Sequence, residues 1–176
     1  MSYKNCHMEK GNEIELCRFR GRPITMKELA EITDRDLFGW NKQLYGNTKF
    51  DDLPIAIAWI RCRFHQSDAA KMVGYASIDK KGNQGGAVSI TFRLIRFNTK
   101  NPLILAEALI KTGHITREDI TGCLKESLYR KGSISMAAVW WGRSICKSAL
   151  RKYKSKGMAA SALGIEIYEL NDWISR

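Results

Sequence analysis

A chain of 176 residues with 44% hydrophobic side chains can bury the core of one domain or two small ones, which excludes a disordered protein. No apolar run approaches the roughly 20 residues that cross a bilayer, and MSYKNCHMEKGNEIEL has no hydrophobic signal core, so a cytoplasmic protein with no membrane partner is expected. With 29 Lys plus Arg against 18 Asp plus Glu, the formal charge of +11 repels itself unless a polyanion neutralises it.

The charge is regional. Residues 61–100 carry +6 and residues 125–156 carry +8, which leaves the rest of the chain at −3. Such windows suit a binding face, with a solubilising surface as the alternative. Five cysteines (Cys6, Cys17, Cys62, Cys123, Cys146) are scattered without CxxC spacing, so neither a disulfide framework nor a zinc module is expected. Cys6, His7 and Cys17 form the only cluster worth naming, and adjacent residues serve one tetrahedral ion poorly. No metal and no cofactor are expected.

Residues 1–22 are polar and punctuated by glycine, which predicts a basic N-terminal arm bearing Lys10, Arg18, Arg20 and Arg22. A second region, 23–100, begins with Pro23-Ile24-Thr25 opening a helix in which Thr25 and Glu28 have capping-box spacing. Met26, Leu29, Ala30 and Ile32 supply its apolar side, and Asp34 is the expected cap of a second helix that Gly46 and Asn47 end. The pair forms a helical hairpin with Asp34 where a turn glycine would be expected.

The run from Ile55 to Phe64 fits either a buried helix begun by Pro54 or a strand, and Asp68 to Val73 fits a helix. From Val73 to Phe97 the pattern changes to a β-hairpin: Val88, Ile90, Phe92 and Leu94 alternate with polar neighbours behind a KKGNQGG tip. Lys80 and Lys81 on that tip are candidate phosphate contacts, as on a wing lying along a DNA backbone; an ordinary surface hairpin is the alternative. Gly82, Gly85 and Gly86 lack the spacing of a phosphate-cradling loop.

The third region, 101–176, is helical. Leu103 to Thr112 forms one helix stopped by Gly113, and Thr116 to Asp119 cap another that runs to about Arg130. Gly132 to Ser135 break the chain, Ser135 begins MAAVWW, and Ile134-Ser135-Met136 echoes Ile24-Thr25-Met26. In the basic segment that follows, Lys147, Arg151 and Lys154 fall at i, i+4 and i+7, with Arg143, Lys152 and Lys156 at the flanks and no acid inside the segment. Ile145, Ala149 and Leu150 take the buried side. Such a face lines cations along a phosphate strand, and the Ser148 hydroxyl adds a hydrogen bond.

The stretch from Lys156 to Ser175, KGMAASALGIEIYELNDWIS, has an alanine-rich half-helix ending in Leu163-Gly164-Ile165 and then an apolar ladder at Leu170 and Trp173. Over these residues the chain resembles the helix-turn-helix DNA-binding superfamily. The resemblance implies that Ala160 sits where two helices cross, that Gly164 supplies a positive φ, and that Leu163, Ile165, Leu170 and Trp173 close the core between them. The residues from 23 to about 46 form a second, looser unit of this kind. Carried across, the base-contacting positions are Glu166, Ile167, Tyr168 and Asn171, with Asn171 suited to adenine and Glu166 to cytosine. Glu166, Glu169 and Asp172 without a Lys or Arg would repel a DNA backbone, so either the preceding basic helix supplies affinity or the hairpin is an assembly element.

His7, His65 and His114 lie far apart and no nucleophile elbow or metal cluster is visible, so no enzyme and no catalytic residue are expected. His65 with Asp68 is the nearest pair to a nuclease-like arrangement, and at i, i+3 it equally suits a capping contact. Five tryptophans include the adjacent Trp140 and Trp141, which cannot both face one core and so leave one as a protein-binding anchor or beneath a neighbouring element. Phe92 and Phe97 suit stacking on unpaired RNA bases.

The expectation is therefore an α+β, mainly helical protein with helix-turn-helix-like units around a central β-hairpin. Its expected work is binding double-stranded DNA as a dimeric transcriptional or replication regulator of the kind carried by phages and plasmids. A protein-binding adaptor or inhibitor, for example of a host nucleoprotein or defence complex, is the alternative, ahead of RNA binding or a nuclease.

Overall fold

The structure, a computed structural model, describes residues 18–19, 22–38, 52–73, 102–131 and 135–176. Of the expected hairpin over 73–97, Val73 is described and closes the end of the helix Gln66–Met72, while the rest, with Lys80 and Lys81, lies outside the described residues, as do most of the N-terminal arm and the segment from 39 to 51. Among the described residues are nine helices and one short antiparallel pairing, β1 (Arg18–Phe19) with β2 (Arg22–Pro23), in which Arg18 faces Pro23. Phe19 on β1 is buried. The described part is thus mainly helical, and none of its helices is long and apolar enough to cross a membrane.

Helix α1 (Met26–Glu31) starts as its sequence dictates: the Thr25 hydroxyl accepts from the Glu28 amide while the Glu28 carboxylate accepts from the Thr25 amide. Its apolar side is narrower than expected. Leu29 is buried, whereas Met26 and Ala30 are exposed and Ile32 is only partly covered. Helix α2 (Asp34–Phe38) is capped by Thr33 and not by Asp34, because the Thr33 hydroxyl accepts from the Asp36 amide at 3.2 Å and Asp36 accepts from the Thr33 amide at 2.9 Å. Asp34 is occupied elsewhere. Its carboxylate takes both arms of the Arg61 guanidinium at 2.8 and 2.9 Å, and that hydrogen-bonded cation holds the Asp34 carboxyl below its ordinary value.

Helix α3 (Asp52–Arg61) is the central element, with Leu53 and every residue from Ile55 to Ile60 buried. A helix apolar on all sides belongs in an interior, and Pro54 falls in its first turn, where a missing amide costs nothing. The chain leaves α3 through Arg63 (φ 50) and Phe64 (φ 66), both left-handed. That reversal drives Phe64 into the core, stacked on Trp59 at 4.1 Å and edge-on to Trp141 at 5.2 Å. Helix α4 (Gln66–Met72) follows, burying Ala69 and Ala70.

Helix α5 (Pro102–Lys111) ends before Gly113, whose φ of 77 turns the chain into α6 (Arg117–Tyr129). Thr116 and Asp119 form the expected capping box on α6. His114, in the turn between α5 and α6, is buried; its Nε2 donates to the Leu29 carbonyl at 2.6 Å, and its own carbonyl accepts from Arg61 Nε at 2.7 Å. This polar tie fastens α1 and α3 to the α5–α6 turn. Helices α7 (Met136–Tyr153), α8 (Lys156–Leu163) and α9 (Ile167–Ser175) complete the chain.

Candidate nucleic-acid interface

Helix α7 joins MAAVWW and the basic segment into one rod of 18 residues, begun by Ser135, whose hydroxyl accepts from the Ala138 amide at 3.2 Å. Its inner side carries Ala137, Ala138, Trp141, Gly142, Ile145, Cys146 and Ala149, all buried. At about 100° per residue, Met136, Trp140, Arg143, Lys147 and Arg151 fall on one opposite stripe. Trp140 is 49% and Met136 84% exposed, so of the adjacent tryptophans Trp141 is the core residue and Trp140 the surface one.

Three of the expected basic positions stand differently from a continuous helical face. The helix ends at Tyr153 and Lys154 is left-handed (φ 54), which takes Lys154 off the i, i+4, i+7 row. Lys156 belongs to the next helix. Lys152 is neutralised from α5: its Nζ lies 2.5 Å from Glu107 Oε1, a hydrogen bond that raises the Lys152 pKa. The Ser148 hydroxyl accepts from Arg151 Nη2 at 3.2 Å.

Helices α8 and α9 form the hairpin. Ser155 caps α8, and Gly164, with φ 68, lets the Ile165 amide reach back to the Ala160 carbonyl at 3.0 Å. Ala159, Ala160, Leu163, Ile165, Leu170 and Trp173 are all buried between the helices and their supports. A Cβ on Gly164 would stand 2.3 Å from Thr121 Oγ1, whose hydroxyl donates to the Leu163 carbonyl at 2.9 Å, so α6 braces the turn. Gly142, which carries no signal of its own in the sequence pattern, is the seat of Trp173: a Cβ there would lie 2.5 Å from the indole ring. Glycine lets α7 and α9 meet at this spot.

The start of α8 lies against the start of α9, because a Cβ on Gly157 would meet Ile167 Cδ1 at 4.0 Å and Ser155 Oγ at 3.9 Å. Lys156, next to Gly157 in the chain, therefore begins α8 near Ile167, and the outward side of α9 is made of Glu166, Ile167, Tyr168, Asn171 and Asp172, all exposed. The repulsion expected from Glu169 is absent from that side. Glu169 is buried at 2%, accepting from the Tyr129 hydroxyl at 2.9 Å and the Glu166 amide at 2.8 Å, with Lys125 Nζ at 3.9 Å. Tyr168 has its hydroxyl 3.1 Å from that of Tyr129, and the hydrogen bonds with Tyr168 and Glu169 hold the Tyr129 phenol above its ordinary pKa. The stripe on α7 lies roughly 140° around the helix from Gly142, where α9 packs. The expected site residues thus fall on two surfaces, the mouth of the hairpin and the outer stripe.

His65 and Asp68 make no capping contact: His65 heads α4 without a side-chain cap bond and lies 3.0 Å from Arg130 Nη2, while Asp68 pairs with Lys71 at 3.7 Å. Among the described residues no three His, Cys, Asp or Glu side chains converge to hold a metal. Burial pushes the Cys146 thiol up to about 12 and Cys123 well above its usual value, so neither is a ready thiolate nucleophile. No protein-family model matches the chain, and comparison with curated proteins and with solved structures finds no significant match.

Proposed function

We propose that the α8–α9 hairpin binds double-stranded DNA and that the protein is a non-enzymatic transcriptional or replication regulator of the phage or plasmid kind, working in the cytoplasm. The observation that carries this reading is that Gly157, next to Lys156 at the start of α8, lies against Ile167 at the start of α9, on a hairpin turned by Gly164. Lys154 and Lys156 offset the remaining acids of α9 and meet phosphates. Asn171, on the exposed side of α9, pairs with adenine, Glu166 with cytosine, and Tyr168 is steadied by Tyr129. Arg143, Lys147 and Arg151 on the outer stripe of α7 are a second set of phosphate contacts, and Lys80 and Lys81 a third, on the wing of the α+β reading. A homodimer doubles the DNA surface that one unit buries.

The test is fluorescence anisotropy against duplex DNA across a salt series. Lys154→Glu with Lys156→Glu should weaken binding more than tenfold and flatten the log–log salt slope by about 0.9 for each phosphate no longer neutralised. Lys147→Glu with Arg151→Glu should weaken it less. Asn171→Ala should leave random-duplex affinity unchanged and reduce discrimination at a selected site by about 1–3 kcal/mol. If only the α7 pair matters, the hairpin is an assembly element.

The exposure of Met136 and Trp140 favours a second reading, an adaptor whose protein partner packs on the apolar end of α7. Absence of duplex binding at physiological salt would select it.

A further inference from the structure

We propose that the cleft between α5, α6, α7 and α8 is a binding site for a small amphipathic monocarboxylate, an apolar tail carrying one anionic head. The cleft has a volume of about 290 Å³, and its floor is made by the half-buried Ile110, Tyr153 and Ala162 in front of the core residues Leu103, Ile120, Ile145 and Leu163. That size is at the lower end for small-ligand sites, about 300–1,000 Å³. Each of the four helices contributes one of these core residues, so the walls are fixed by the fold before any ligand enters.

The charge at the rim decides the class of ligand. Lys111 and Arg117 line the cleft, both are exposed, and neither has an ion-pair partner among the described residues. The single acid in the lining, Glu107, is already matched by Lys152 at 2.5 Å. Two unmatched cations therefore stand over an apolar floor. An apolar tail gains by leaving water for that floor, and a carboxylate gains charge-assisted hydrogen bonds from the Arg117 guanidinium and the Lys111 ammonium. A neutral lipid would leave the cations unused, and a compact polyanion would leave the floor wet.

The site stands without the DNA reading, since ligand binding is measured on the full chain with no nucleic acid present. Isothermal titration calorimetry would compare decanoate, kept below its micelle-forming concentration, with decanol and with acetate. Decanoate should bind, acetate should not, and decanol should bind about tenfold more weakly, the difference expected when one charge-assisted hydrogen bond of about 1.5 kcal/mol is missing. Lys111→Gln with Arg117→Gln, both on exposed side chains, should bring decanoate down to the affinity of decanol while circular dichroism stays unchanged. Equal binding of decanoate and decanol to the native chain would mean adsorption to apolar surface and overturn the proposal. Binding of acetate as tight as that of decanoate, an unaltered affinity in the double variant, or no heat from decanoate would overturn it as well.

Discussion

Helices α1 and α2 and helices α8 and α9 are both pairs of short helices with capped starts, yet they are held by different forces. In the first pair only Leu29 and Leu37 are buried, and the turn between the helices has no left-handed residue; Ile32 sits at φ −69 and ψ 129. Its fastening comes from outside, through His114 on the Leu29 carbonyl and Arg61 on the Asp34 carboxylate. In the second pair six apolar side chains close a core, and Gly164 reverses the chain within three residues. A tight reversal over a small residue lets two helices cross closely enough to share a core. Without it a pair depends on the polar ties that its neighbours offer.

The largest break in this contrast is expected from Trp173→Ala, which removes a fully buried indole from the seam with Gly142 and should cost about 3–5 kcal/mol in thermal or urea unfolding. Leu37→Ala, the matching truncation in the first pair, should cost about 2 kcal/mol, the low end for such a change. Equal costs would mean that the two pairs depend on apolar packing alike.

A smaller break is Gly164→Val. A left-handed φ costs a side chain about 1–2 kcal/mol, and crowding of Thr121 adds about 1–3 kcal/mol, so roughly 2–5 kcal/mol is expected. Gly113→Ala separates the two contributions, because Gly113 also has a positive φ, 77, but nothing stands within 4 Å of a Cβ there. It should show only the conformational part. A Gly113→Ala destabilisation as large as that of Gly164→Val would remove Thr121 from the account of the turn.

The smallest effect belongs to the first pair and is a pH effect. The hydrogen bond from Arg22, then the Thr25 amide, hold the Glu28 carboxyl down to about 2 from the usual 4.5. A carboxyl whose folded value is depressed contributes its stability in full above about 4.5, and loses it as the pH falls toward about 2. The difference in urea midpoint between the native chain and Glu28→Gln should accordingly shrink across that interval. A difference that persists unchanged at pH 2 would assign the Glu28 contribution to something other than its charge.

Much of the fold is legible in the sequence because its signals are local. Thr25 with Glu28 and Thr116 with Asp119 are three residues apart, Gly113 and Gly164 stop their helices by backbone geometry alone, and the ladder Leu163, Ile165, Leu170, Trp173 marks its own buried side. The candidate site is legible in part. Arg151 on α7 and Asn171 on α9 are exposed and Lys147, one turn before Arg151, is half-buried, yet two charges are settled by distant partners. Spacing alone makes Asp34 a cap, but Arg61, 27 residues on, captures it and leaves the cap to Thr33. Spacing alone makes Glu169 a surface acid, but Tyr129, 40 residues earlier in the chain, draws it inward.

The sequence by itself determined the capping boxes at Thr25 and Thr116, the glycine stops at Gly113 and Gly164, and that a glycine-turned helical pair closes the chain, since each follows from contacts within about four residues. Only the tertiary structure decided which charges remain free. It paired Lys152 with Glu107, folded Glu169 against Tyr129, turned Lys154 out of the helix, and seated Trp173 on Gly142. The reason is physical: an ionisable side chain carries no periodic signature of its partner, and the partner that satisfies it is whichever group the packing of apolar faces brings within hydrogen-bond reach.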